Sequence, residues 1–189
     1  MKNNRLQILF LSILISLLTF ACTIFIGGPA YPEKSIPIST QAAGEFLTYI
    51  ESAATAGSET GTVSIIITES QLTSYFAMKL ADQTDPMITN PQVYLQDNEI
   101  QIFGTAQQGY FQATISIILT ARVNEDGSLS IDFTSADLGP LPVPDGFADT
   151  LTSLIEEAFT GTIGPVATGI RLTDISISEG RLTLTGETR

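Results

Sequence analysis

Histidine and tryptophan are absent from this 189-residue chain, cysteine occurs once, and positive charge is scarce, with 8 Lys and Arg against 20 Asp and Glu. Without imidazole, Ser-His-Asp and Cys-His catalytic arrangements and His-ligated metal sites are excluded, and the single thiol, Cys22, cannot close an intramolecular disulfide. The imbalance sharpens past Ala30, where six basic residues face twenty acidic ones, a balance of −14. Nucleic acids and anionic headgroups bind proteins largely through Lys and Arg that displace counterions. Nucleic-acid binding is therefore not expected, and no cofactor or metal is predicted.

Charge is also missing from Leu6 to Ile26, a run of 21 residues preceded by Lys2 and Arg5. A helix of ~20 apolar residues crosses ~30 Å of hydrocarbon. Basic residues at its amino end keep that end cytoplasmic and place the acidic remainder outside. The run exceeds the ~7–15 residues of a signal-peptide core, which favours an uncleaved single-pass anchor. Two alternatives stay open. Thr19-Phe20-Ala21-Cys22 is similar to a lipoprotein box, though Thr19 stands where Leu is usual, and Gly28-Pro29-Ala30 offers a small-residue cleavage site. The expected organisation is residues 1–26 as membrane anchor or signal, a Pro- and Gly-containing stalk at 27–38, and one extracytoplasmic domain at 39–189.

Within that domain, Ser39 or Thr40 can cap a helix with Ala43, Phe46, Leu47, Ile50 and Ala54 on one face, and Ala53 to Gly61 reads as a loop. Thr62 to Ile67 is β-branched apart from Ser64 and reads as a strand. Thr68-Glu69-Ser70-Gln71 has capping-box form and opens a helix with Leu72, Tyr75, Phe76 and Leu80 on one side, ending near Gln83. Val93 and Leu95, a turn at Asp97-Asn98, then Ile100 and Ile102 make a hairpin. From Tyr110 to Val123 the odd positions are all apolar, the period of an unusually long strand that must bend or twist. Leu129, Ile131 and Phe133 alternate next, and three prolines between Leu138 and Pro144 make a stiff crossover. Asp145 can cap an amphipathic helix over Phe147, Leu151, Leu154, Ile155, Ala158 and Phe159. Two strands, about Ile170–Ile177 and Arg181–Gly186, flank a turn at Ser178-Glu179-Gly180, with a bulge near Asp174. The fold class is α+β: an elongated, curved antiparallel sheet with amphipathic helices on one side.

The carboxylates fall in turns or on polar helix faces, and no spacing of Ser and Lys, or of EF-hand ligands, carries chemistry. No enzymatic role is predicted; a carboxylate enzyme ranks third. The apolar surface offers more. Ile115, Ile117, Leu119, Ile131 and Phe133 from the sheet, with Phe147, Leu151, Leu154, Ile155 and Phe159 from the helix, form either a closed core or a groove that holds an acyl chain.

The run Ile131 to Gly186 combines a strand, Leu138-Gly139-Pro140-Leu141-Pro142-Val143-Pro144, an amphipathic helix and the hairpin Ile175 to Gly186. Together with the helix start at Ile67 to Leu72, it resembles small bacterial membrane-anchored envelope proteins of the YpmS-like and LmeA-like kind. These are associated with the tubular lipid-binding superfamily, in which a long curled sheet wraps a helix and shelters lipid tails. The resemblance spans most of residues 60–187 and brings no catalytic residues. It implies a membrane-tethered, non-enzymatic domain that binds a lipid or another apolar ligand. The alternative is an envelope protein-interaction or scaffolding module with a filled core.

Overall fold

The computed structural model describes residues 23–84, 86, 88–141 and 170–188. Their order is β1 (Ile24–Phe25), α1 (Thr40–Thr60), β2 (Thr62–Thr68), α2 (Glu69–Ala81), β3 (Ile88–Gln96), β4 (Glu99–Gln108), β5 (Phe111–Val123), β6 (Leu129–Asp137), β7 (Ile170–Ser178) and β8 (Arg181–Thr188). The fold is α+β. Residues 6–22 of the expected anchor, and the helix expected from Asp145 to Phe159, lie outside the described residues. No helix among the described residues is long and apolar enough to cross a membrane.

Local chemistry explains the helices. The Ser39 side chain accepts from Ala42 N and starts α1. Ala43, Phe46 and Ile50 follow as its buried face. The helix continues through residues 53–60, where a loop was expected, and stops at Gly61 with φ +78°. Small side chains are what extend it: a Cβ on Gly57 would collide with Val63 of β2, so glycine lets helix and strand approach closely. In α2, Thr68 and Gln71 form the complete capping box, and Leu72, Tyr75 and Phe76 are buried.

The strands form two sheets rather than one. In the larger, β3, β4, β5 and β6 are sequential antiparallel neighbours. The turn at Asp97 and Asn98 has both residues at positive φ, +53° and +64°, matching a tight hairpin whose twist suits its strands. The smaller sheet, in the order β2-β8-β7, is antiparallel, and its Leu172/Asp174 register shift puts a bulge at Thr173. Splitting follows from pairing choice: β2 lies along β8 from Thr62↔Glu187 to Thr68↔Arg181, a partner 113 to 125 residues away that local pattern does not reveal. One buried cluster, including Phe46, Ile50, Ile65, Leu72, Leu95, Ile117 and Leu182, joins both sheets and both helices.

Ile24 and Phe25, at the end of the uncharged run, are strand and not helix, pairing parallel to β5 opposite Phe111 and Gln112. β6 occupies the same edge of β5 only from Ser116 onward, so the first residues of β5 have vacant hydrogen-bonding groups that β1 takes. The sheet is consequently mixed and not purely antiparallel. The bonds continue through Ile26, whose N donates to Gln112 O at 2.8 Å, into the segment read as a stalk, where Thr114 N donates to Gly27 O at 2.9 Å.

Residues 31–36 of that segment lie on the outer face of the larger sheet, the side that carries Gln92, Tyr94 and Phe103. Buried Gln92 accepts from Ile36 N at 2.6 Å and donates to Ile36 O at 3.1 Å. Tyr94 Oη donates to Lys34 O at 2.6 Å, and Tyr31 contacts the Phe103 ring at 6.0 Å. On the far edge of β3, Val93 N and Leu95 N donate to Thr73 Oγ1 and Glu69 Oε1 of α2, both at 2.9 Å, so side chains close an edge that would otherwise recruit another strand.

Candidate functional site

The inner face of β5 changes character along its length. Ala113, Ile115 and Ile117 are 0% exposed and Leu119 is 1% exposed, whereas Ala121 and Val123 are only half-buried. Across the ladder, Leu119 faces Phe133, Ala121 faces Ile131 and Val123 faces Leu129. Directly opposed residues of an antiparallel pair point to the same side of the sheet. These residues therefore form one apolar strip continuous with the closed core. Leu129 and Ile131 are half-buried, and Phe133 is 38% exposed.

A bulge makes that continuity compatible with the sequence. Ile117 pairs with Ala136 and Leu119 with Phe133, so one extra residue stands in β6 between two inward positions of opposite parity. Without that residue's allowance, Ala136 and Phe133 could not share the inner face. A bulge also raises local twist, which bends the end of the sheet carrying the strip.

The structure thus places the five sheet residues singled out from sequence on one face, but in two different environments. Ile115, Ile117 and Leu119 belong to the filled core, where β7 packs across β5 and Leu172 N donates to Gly127 O at 3.0 Å. Their side chains are covered by these neighbours, with at most 1% exposed. Ile131 and Phe133 retain accessible apolar surface. Phe147, Leu151, Leu154, Ile155 and Phe159 lie outside the described residues. Ala121, Val123 and Leu129 belong to the strip and were not singled out, although the same alternation marks them.

The opposite face of the larger sheet is polar in detail. An open groove of about 460 Å³ runs between Tyr31, Ile36, Ile38, Asn90, Gln92 and Thr105, away from the apolar strip. Burial, then the neighbouring Tyr94, pushes the Tyr31 phenol up to about 12, and burial followed by the charge of Glu69 raises Tyr94. Both phenols stay protonated and donate to backbone carbonyls, Tyr31 Oη to Asn90 O at 2.6 Å. Such bonds position the 31–36 segment and leave no poised base. Among the described residues, no group of three or more Cys, Asp or Glu side chains converges to hold a metal ion, and every buried side-chain nitrogen and oxygen has a hydrogen-bond partner. The one ion pair given by the described residues, Arg122 with Asp132 at 3.0 Å, is solvent-exposed on the outer face of β5 and β6. What the arrangement provides chemically is an apolar surface in a bent sheet.

No curated protein matches this chain. The model of a family described as LmeA-like phospholipid-binding matches residues 37–187, which takes in α1 and every later strand and helix described above. The match covers well over half of the sequence, and the chain belongs to the LmeA-like phospholipid-binding family.

Proposed function

We propose that this protein is a non-enzymatic phospholipid-binding domain, tethered at the extracytoplasmic face of a membrane, that lays an acyl chain along the strip formed by Ala121, Val123, Leu129, Ile131 and Phe133. The observation that carries the reading is the partial exposure of this strip where it leaves the closed core, in a chain of a phospholipid-binding family. The four-residue step from Leu119 to Val123 measures ~13 Å at ~3.3 Å per residue, enough for part of an acyl tail. Each methylene that leaves water contributes about 0.8 kcal/mol, so about eight of them supply on the order of 6 kcal/mol. Chemistry on the lipid is not part of the proposal, since the strip presents hydrocarbon and no acid, base or nucleophile.

Support for the tether is in the sequence: Lys2 and Arg5 precede a long uncharged run, and the acidic domain follows it. The full chain, purified in mild detergent and exposed to a phosphatidylglycerol and phosphatidylcholine mixture, should retain phospholipid in native mass spectrometry. Recovery of lipid-free protein alone would overturn the reading in favour of a scaffolding module.

A further inference from the structure

We propose that the β1 and β4–β5 turn region is a membrane-docking tip that inserts into the interfacial layer of a lipid bilayer. Four large apolar side chains at that end of the sheet are left in solvent: Ile24, 54% exposed, shares a face with Phe111, 48%, while Phe25, 61%, stands on the other face, and Tyr110 is 62% exposed. They are held together by the ladder, with Ile24 opposite Phe111 and Ile24 N donating to Tyr110 O at 2.7 Å. Gly109, at φ +60°, turns the chain so that Tyr110 stands at the end of the hairpin. Clustered exposed aromatics of this kind mark an interaction surface, unlike single exposed apolar residues.

Two observations identify a bilayer as the occupant. The tip follows directly on residues 6–22, seventeen residues without charge, so the chain enters the domain at the tip. Residues 100–121 also carry no charge at all in a domain that is otherwise strongly acidic, and Gln107, Gln108 and Gln112 surround the apolar cluster. Removing acidic charge here avoids both desolvation of carboxylates and repulsion from headgroups. Tyr favours the interfacial depth because its ring is buried while its hydroxyl stays wet, and Phe and Ile add apolar surface that the acyl boundary covers. With no Lys or Arg in the patch, docking is driven by apolar burial and does not require anionic lipid. The tip lies on a different part of β5 from the lipid strip, and docking does not depend on lipid capture.

The absence of tryptophan makes the test direct. Single-reporter variants Tyr110→Trp, Phe133→Trp and Tyr49→Trp of the full chain are reconstituted in phosphatidylcholine vesicles with ordinary or brominated acyl chains. Tyr110→Trp should show blue-shifted emission and lose most of it to brominated lipid, while the exposed α1 position Tyr49→Trp should not. Adding Phe25→Ser and Phe111→Ser to the Tyr110→Trp chain should restore emission. A Tyr110→Trp signal no more quenched than that of Tyr49→Trp overturns the docking tip. A blue-shifted but unquenched signal overturns it as well, and indicates cover by protein. Phe133→Trp reports separately on the strip, so failure of lipid binding is distinguishable from failure of docking.

Discussion

Replacing Phe133 by Ala tests directly whether the strip contacts lipid. An aromatic side chain can bury about 200 Å², so the 38% exposed fraction of Phe133 corresponds to on the order of 75 Å² still available to a ligand. At ~25 cal/mol per Å², covering that surface with an acyl chain contributes about 2 kcal/mol. The loss in Phe133→Ala should therefore weaken binding by about thirtyfold, since ~1.4 kcal/mol is a factor of ten. By the same coefficient, the ~125 Å² of Phe133 already covered contributes up to about 3 kcal/mol to stability, so folding is measured beside binding. Ile117→Ala is the contrast: at 0% exposure it should cost about 2–5 kcal/mol of stability through loss of buried methylenes and the cavity left behind. Titration of the full chain in detergent with a fluorescent phosphatidylcholine, paired with urea denaturation, measures both quantities. If Phe133→Ala binds like the parent chain while remaining folded, the strip is not the lipid-contacting surface.

Three further outcomes follow from the geometry. Gln92→Ala leaves the buried Ile36 amide and carbonyl without their side-chain partner, which should cost about 2 kcal/mol and raise hydrogen exchange at Ile36 ahead of the core strands. Gly57→Ala should destabilise the protein in thermal unfolding despite alanine's helix preference of up to about 1 kcal/mol, because the new methyl meets Val63; Val63→Ala in the same chain should recover most of the loss. The Tyr31 phenol is held protonated to about 12 in the folded protein against an ordinary value of 10.0, so the unfolded chain loses this proton first. Stability should be insensitive to this group below pH 10 and fall as pH rises from there towards 12, and Tyr31→Phe should make that alkaline decline shallower in pH-dependent melting curves.

Elements set by neighbours in sequence were legible before any coordinates. The capping box at Thr68 and Gln71, the Asp97-Asn98 turn, the long alternation of β5 and the irregularity beside Asp174 each depend on spacings of a few residues. The extension of α1 to Thr60 was not legible, because a run of Ala, Gly and Ser reads as a loop until a strand is seen pressing against Gly57. Nor was the difference between Ile117 and Phe133. Both sit at inward positions of alternating strands, and only the packing of β7 and the bulge in β6 make one a core residue and the other a surface.

Composition and pattern alone determined that this protein has no histidine chemistry, carries a strongly acidic domain after an uncharged run, and alternates long strands with capped helices. Tertiary structure decided that Ile24 and Phe25 form a strand, by letting β1 take the vacant edge of β5, and how the strands divide between two sheets. The physical reason is separation along the chain. Periodicity and capping act over one or two turns of backbone, whereas β2 finding β8 or Gln92 binding Ile36 depends on groups brought together only by the completed fold.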